Sequence, residues 1–419
     1  MTQTTLSVCM GDQGLDVGTL MFEAQGNRQF SRFQYATAWL ENPKGFALAP
    51  SMPLRDAPFF YRPEGLHGSP LPPPLSDTTP DSWGRNIIRR DARMSKKDTR
   101  PLTECDFLTA VDDFSRMGAI RLRDPHGGDF LASLPGGLHE IPPLLQLNEL
   151  GRSIASLERQ EPVTAKALQR LRQVGSALGG ARPKCSVLDV DQLFIAKFTS
   201  RLDTQSVERV EVLTLKLAQL CGLRAPAVRL DHSDGLAVAL IKRFDRIANG
   251  RIPYISAQTM LDVSDATQGT YTAMADAIRS YCDAPGRDLL ELFKRIGFSI
   301  LVSNTDDHLK NHGFLYAGNN QWRLSPLFDV NPSPERHREL KTAISEISGN
   351  AASLATLLEH ASFFDVPLSD AVAGFKNMAT VIRQNWRTMG QDLGMARHDI
   401  DVYRSAFEHE DTELALRQN

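Results

Sequence analysis

The sequence predicts an α+β protein in two lobes, with strands concentrated early and helices late. Three observations predict it. Short runs of alternating hydrophobicity, punctuated by Gly and Asn-Pro, dominate up to about residue 75. Apolar strand-like runs return between 185 and 244. From about residue 255 the apolar residues fall at helical spacing, through Leu289–Ser303 and on to Val372, Phe375, Met378 and Val381. A ligand site is expected between the two lobes.

Each element follows from its residues. Gly18–Glu23 and Phe33–Ala36 alternate as strands do, and Leu71-Pro72-Pro73-Pro74 reads as a stiff connector. Ser76–Arg93 reads as a helix capped by Asp81 or Ser82, with Trp83, Ile87 and Ile88 on its apolar face. Residues 144–174 suggest two helices, followed by a glycine-rich segment over 175–184. Cys185–Val190 and Leu193–Phe198 form a hairpin around Val190-Asp191-Gln192. Glu208–Cys221 has helical spacing, and Gly222 ends it as a C-cap would. Ala225–Leu230 and Gly235–Phe244 read as two further strands, and Gly313–Tyr316 with Trp322–Leu324 as a hairpin around Gly318-Asn319-Asn320.

A chain of 419 residues, 42% of them apolar, is long enough for sizeable cores in two or three domains. Its net charge of −3 excludes a global basic field for nucleic acid or an acidic membrane. Arg85, Arg89, Arg90 and Arg93 read as a solvated helix face. The five cysteines are far apart with no CxxC pair, which points to reduced thiols in a cytoplasmic protein. The N-terminus has no basic segment followed by an apolar core, and no apolar run approaches a membrane span.

The chemistry concentrates in Ser303–Asn311 and Ser325–Asp329. Asp306 and Asn311 give D-x-x-x-x-N, which Asp307 does not. The intervening hairpin returns Asp329 beside Asn311. Phosphoryl transfer from ATP needs that set: a carboxylate to orient a hydroxyl, then an amide and a second carboxylate as oxygen ligands for Mg2+. Lys310 can neutralise the transferring group. Upstream, glycines at 175, 179 and 180 let backbone amides approach phosphates, although neither GxxxxGK[ST] nor GxGxxG is present. Lys184 in that loop reads alone as a surface lysine. Lys197 lies in the apolar run Leu193–Phe198, where it either meets nucleotide phosphate and a helix glutamate or snorkels to water from an edge strand. Glu211 is the candidate partner and Glu208 its competitor. At the boundary between lobes, the backbone around Lys242 and Phe244 could read an adenine edge, and Asp245 could hold the ribose or lock a turn.

The chain resembles the HipA family, the serine/threonine kinase toxins of bacterial type II toxin–antitoxin pairs. The resemblance is carried by Leu178–Lys184, Arg243–Arg246, Asp306–Asn311, Ser325–Asp329 and Pro80–Arg85. It implies a bilobal kinase-like fold with a strand-rich N-terminal subdomain over 1–112. A kinase N-lobe would follow over 113–246, then an all-helical C-lobe over 247–419. It implies Asp306 as catalytic base with Lys310, and Asn311 and Asp329 as magnesium ligands. ATP would be held by Gly179, Gly180, Ala181, Lys184, Lys197, Lys242, Phe244, Asp245, His308 and Phe328. Its partners would be a HipB-like helix-turn-helix antitoxin, with DNA bound only through that antitoxin, and a protein substrate such as an aminoacyl-tRNA synthetase. Phosphorylation of that substrate would stop translation and favour persistence. Some family members are silenced by autophosphorylation of a serine three residues before the loop glycine. That position is Ala177 here, and adjacent Ser176 is the candidate site.

Two other readings remain open. One is a non-catalytic nucleotide-binding regulator acting through a HipB-like antitoxin. The other is a metal-dependent phosphohydrolase built on Asp306, Asp307, His308 and Asp329.

Overall fold

The alternating N-terminal runs pair into an antiparallel sheet in the computed structural model, which describes residues 2–63, 65, 68–95, 100–133, 141–175, 180–247 and 250–417. Its strands are β1 (Thr2–Met10), β2 (Leu15–Gln25), β3 (Arg28–Tyr35), β4 (Phe59–Tyr61) and β5 (Ile120–Arg123), in the order β4-β3-β2-β1-β5. Leu6, Val8, Leu20, Phe22 and Phe33 line its buried face. Each such side chain contributes about 1.5–3 kcal/mol on burial. A register shift between Val8 and Cys9 accommodates the turn into β2. Because β5 pairs with β1, from Ser7 opposite Arg123 to Met10 opposite Ile120, this sheet continues past residue 112.

The prolines after Leu71 do not stay extended. Pro73 and Pro74 open a single helical turn, Pro73–Ser76, since proline's fixed φ suits the first helical positions. The long helix then begins at Ser82, not Ser76, and runs to Ser95. Trp83 and Ile87 bury their side chains against helices Leu147–Glu158 and Ala165–Gly175, in a core shared with the second sheet. A helix from the first third of the chain therefore belongs structurally to the second.

The second sheet holds β6 (Lys184–Asp189), β7 (Gln192–Phe198), β8 (Val228–Ser233) and β9 (Leu236–Lys242), in the order β6-β7-β9-β8. The β6–β7 turn needs Val190 at φ +54°. Helix Val207–Leu220 packs on this sheet and ends at Gly222, whose φ of +75° is the left-handed conformation glycine adopts freely. A short ribbon, β10 (Arg246–Ile247) with β11 (Gly250–Arg251), leads out of it.

The remainder is predominantly helical, not all-helical. The expected hairpin forms as β13 (Gly313–Gly318) and β14 (Gln321–Leu324) and is joined by β12 (Tyr254–Ser256), pairing Ile255 with Phe314. Helices Pro285–Leu301 and Leu368–Asp392 form the centre of this lobe, with Phe293 packed 5.1 Å from Phe375. The stripe on the longer helix runs Phe375, Met378, Ile382, Trp386, and Val381 sits at its margin. Helix Pro285–Leu301 delivers the chain directly into the Asp306 loop, turning at Ser303 with φ +54°.

Candidate active site

Two lysines face each other across the second sheet. Lys184 on β6 is the register partner of Lys197 on β7, so both side chains leave the same face. The Lys197 side chain is 9% exposed, and its ammonium donates to Glu211 Oε1 at 2.5 Å and to Asp329 Oδ1 at 2.7 Å. Burial alone would favour neutral lysine, but Asp329 and Glu211 outweigh it and hold the ammonium firmly charged. Burial opposes ionisation of Asp329 too, and Lys197 and Lys184 overcome it, holding that carboxyl far below the usual range. Glu211 is raised by its burial despite Lys197. Glu208, one turn earlier, bonds Arg182 at 2.5 Å and Thr199 at 3.1 Å instead, so Glu211 is the lysine's partner. Lys184 is pushed down to about 8, by burial first and Lys197 second.

The Asp306 loop separates two adjacent carboxylates. Asp307 is 2% exposed and accepts from Tyr271 Oη at 2.6 Å and Ser299 Oγ at 3.1 Å. His312 Nε2 lies 3.0 Å from its other oxygen, and Thr342 donates to its carbonyl at 2.8 Å. Burial would raise its pKa, but His312 and the two hydroxyls hold it below the ordinary carboxylate value. Asp306 points the other way. It is exposed, and its carboxylate has no hydrogen-bond partner among the described residues. The Asn311 side-chain amide donates to the Asp306 carbonyl at 2.9 Å, so the five-residue spacing closes the loop on itself.

The Asp329 segment is fastened at each step. Ser325 N–H bonds Gly313 O at 2.8 Å, Arg295 donates to Ser325 O at 2.7 Å, and Leu327 N–H bonds Arg224 O at 2.7 Å. Asp329 itself sits at φ +58°, a conformation aspartate tolerates better than most side chains. Asn331 donates to Asp329 Oδ1 at 3.0 Å, and Asn331 N–H bonds Asn304 Oδ1 at 3.0 Å. Asn304 thus ties the two loops together, a role the sequence reading missed. Its only signal was an amide in a turn.

Around these groups, Phe244 and Phe328 place their rings 5.4 Å apart. Lys242 N–H is engaged by Ala227 O at 2.9 Å. His308 is half-buried, and its Nδ1 is buried without a hydrogen-bond partner among the described residues. Asp245 is 1% exposed and surrounded: Arg243 Nη2 at 2.5 Å, Arg246 at 2.6 Å and Gly118 N–H at 2.7 Å. Its acceptors are taken up by Arg243, Arg246 and the Gly118 N–H, so it locks the turn after β9 against residues 115–118 and does not keep an oxygen open for a ribose. Gly180 adopts φ +91°, and a Cβ there would lie 2.5 Å from Lys184 Nζ. Ala181 is exposed beside it. Ser176 and Gly179 lie outside the described residues.

Lys310 is exposed, 3.4 Å from Asp81 Oδ1, and Asp81 Oδ2 accepts from Gly180 N–H at 2.7 Å. A cavity of about 830 Å³ meets the site at Lys310, walled by Phe30, Tyr61, Asp77, Thr259 and Asp262.

Asn311 and Asp329 carry oxygen donors of the kind a divalent cation takes. Asn311 keeps its amide oxygen and Asp329 its second carboxylate oxygen. Among the described residues no cluster of three or more His, Cys, Asp and Glu side chains is placed to bind a metal. Two protein oxygens, completed by water and phosphate oxygens, are the set magnesium prefers.

Comparisons with known proteins give the family and the fold. The model of the HipA-like C-terminal domain matches residues 176–391, and that of the HipA N-terminal domain matches residues 6–122. A putative kinase of Haemophilus influenzae is 24% identical over 205 residues, 42% of this chain, and the chain spans 58% of that relative's length. The putative kinase Y4mE of Sinorhizobium fredii is 22% identical over 332 residues, 71% of each protein. HipA of Shewanella oneidensis, solved with HipB and operator DNA, superposes with a TM-score of 0.66 at 16% identity, covering 98% of this chain and 96% of that one.

Proposed function

The chain belongs to the HipA family, and from that premise we propose that it is an ATP- and magnesium-dependent kinase acting on serine or threonine hydroxyls of a protein. One observation carries the reading: of two adjacent aspartates, Asp307 is buried and fully bonded, while Asp306 stands exposed on a loop that Asn311 braces. A buried carboxylate organises a loop, and an exposed one on that frame can meet a substrate.

Asp306 orients the acceptor hydroxyl and accepts its proton as the phosphoryl group transfers. Lys310 offsets charge on that group. Lys197, fixed by Glu211, holds nucleotide phosphates, and Lys184 and the Gly180 amide join it. Phe244 and Phe328 flank the base, with His308 nearby. Asn311 and Asp329 would hold magnesium, which when bound offsets charge on the phosphates. The acceptor approaches through the cavity at Lys310. Ala181 and Gly179 belong to the same phosphate loop, and Ser176 is its candidate autophosphorylation site.

The reading extends to partners. A HipB-like antitoxin restrains the kinase and carries it to operator DNA, and the target is a component of translation such as an aminoacyl-tRNA synthetase, acted on in the cytoplasm. We place the end of the N-terminal subdomain after Arg123 and not at 112, because β5 completes its sheet. The kinase N-lobe then runs to 246 and the helical lobe from 247. The test is transfer of radiolabelled phosphate from ATP to bacterial proteins. Wild type should label them and Asp306→Asn should not; equal labelling by both would overturn the assignment.

A further inference from the structure

The Pro80–Arg85 stretch has no part in the chemistry above, yet its side chains reach into the site. Asp81 stands just before helix Ser82–Ser95 and does not spend its carboxylate on that helix. Oδ2 accepts the Gly180 N–H at 2.7 Å, and Oδ1 lies 3.4 Å from Lys310 Nζ. Trp83 completes the attachment. Its N–H donates to Gly180 O at 3.4 Å, and its indole N–H donates to Lys184 O at 2.9 Å. The start of this helix is thereby fastened to the loop between Gly180 and Lys184.

Both donors that Asp81 holds are of the kind phosphates use. A glycine-loop amide and a lysine of the catalytic loop converge on one anion. Asp81 supplies that anion as a side chain. Burial would raise its pKa, but Lys310 and the Gly180 amide outweigh burial and keep it ionised. Two anions cannot share those donors without repulsion.

We propose that Asp81 is a specificity-determining residue of the nucleotide site, its carboxylate standing where the terminal phosphate of a nucleoside triphosphate must sit. The resting site accordingly discriminates against triphosphate relative to diphosphate until Asp81 withdraws. The inference rests on the kinase reading, because it takes Gly180 and Lys310 as phosphate-facing. It differs from a purely supporting role for Asp81 in one respect. Loss of a support weakens both nucleotides alike, whereas loss of a competing charge favours the triphosphate alone.

The experiment is calorimetric titration of the full chain with MgATP and with MgADP. Both titrations are made in an Asp306→Asn background so that ATP is not consumed, with and without Asp81→Asn. Asparagine keeps an oxygen for the Gly180 N–H and removes the charge. Asp81→Asn should tighten MgATP about tenfold while moving MgADP less than about twofold, a gap equal to one pKa unit of differential interaction. An unchanged ATP-to-ADP ratio, or a larger loss for ATP than for ADP, would overturn the proposal while leaving nucleotide binding intact. Failure of both nucleotides to bind the parent protein would overturn the kinase reading and this proposal with it. The ratio is read within one preparation, so a change in stability does not imitate it.

Discussion

The lysine cluster on the second sheet and the Asp306 loop meet in one site and are built in opposite ways. In the cluster the charges are paired with one another: buried Lys197 with buried Glu211 and with half-buried Asp329, and Asp329 also with Asn331. In the loop, Asp307 is buried and bonded, while Asp306 and Lys310 are exposed. Groups that bind a polyanion can be stored as ion pairs, because an incoming phosphate exchanges one anionic partner for another. A group that must take a proton from a hydroxyl has to stay open, so its frame comes from its neighbours.

The largest effect tests the buried half. Lys197→Met removes the cation between two carboxylates. It should destabilise the protein by about 3–5 kcal/mol in urea denaturation, as stranding a buried charge does. Binding of MgATP should be lost in the same variant. Full stability would break the comparison, because the cluster would then not depend on its central charge.

A smaller effect sharpens the other half. Asp307→Asn should cost about 1.5–3 kcal/mol, because the charged acceptor of the Tyr271 and Ser299 bonds is weakened. Phosphate transfer by the molecules that remain folded should continue at low temperature. Complete loss of transfer from a folded Asp307→Asn protein would move the chemistry to the wrong aspartate.

The smallest effect concerns Lys184, whose ammonium is pushed down to about 8 from 10.5. Only the charged form attracts phosphate. Affinity for MgATP should therefore be full below pH 8 and fall as pH rises through about 8 toward 9, by up to about tenfold per unit. In the unliganded protein the sign is reversed. Folding depresses this lysine's pKa, so its contribution to stability grows as pH rises from about 8 to 10.5. Lys184→Arg should flatten the binding profile between pH 7 and 9. A profile unchanged by that substitution would assign the pH dependence to another group.

Much of this site is legible in the sequence because local spacing encodes it. The five-residue interval from Asp306 to Asn311 closes a loop. A lysine inside an apolar strand demands a partner, and helical spacing puts Glu211 within reach of it. The hairpin that returns Asp329 is visible in its turn residues. What is not legible depends on segments that meet only after folding. Asp81 and Gly180 are 99 residues apart. β5 completes a sheet begun at the N-terminus. For Asp245 the choice between holding a ribose and locking a turn is open until Gly118 folds against it and, with Arg243 and Arg246, takes up its acceptors. Leu71–Pro74 shows the limit of composition: prolines that stiffen a connector also begin a helical turn.

The central division is between the lysine cluster, which would hold the nucleotide phosphates, and Asp306, which would take the proton. It is tested most directly by measuring MgATP affinity and phosphate transfer on the same preparation of Asp306→Asn. Affinity should stay within about twofold of wild type while transfer disappears, as expected when a group acts only in the transition state. Loss of ATP binding in that variant, or transfer at the wild-type rate, would contradict it.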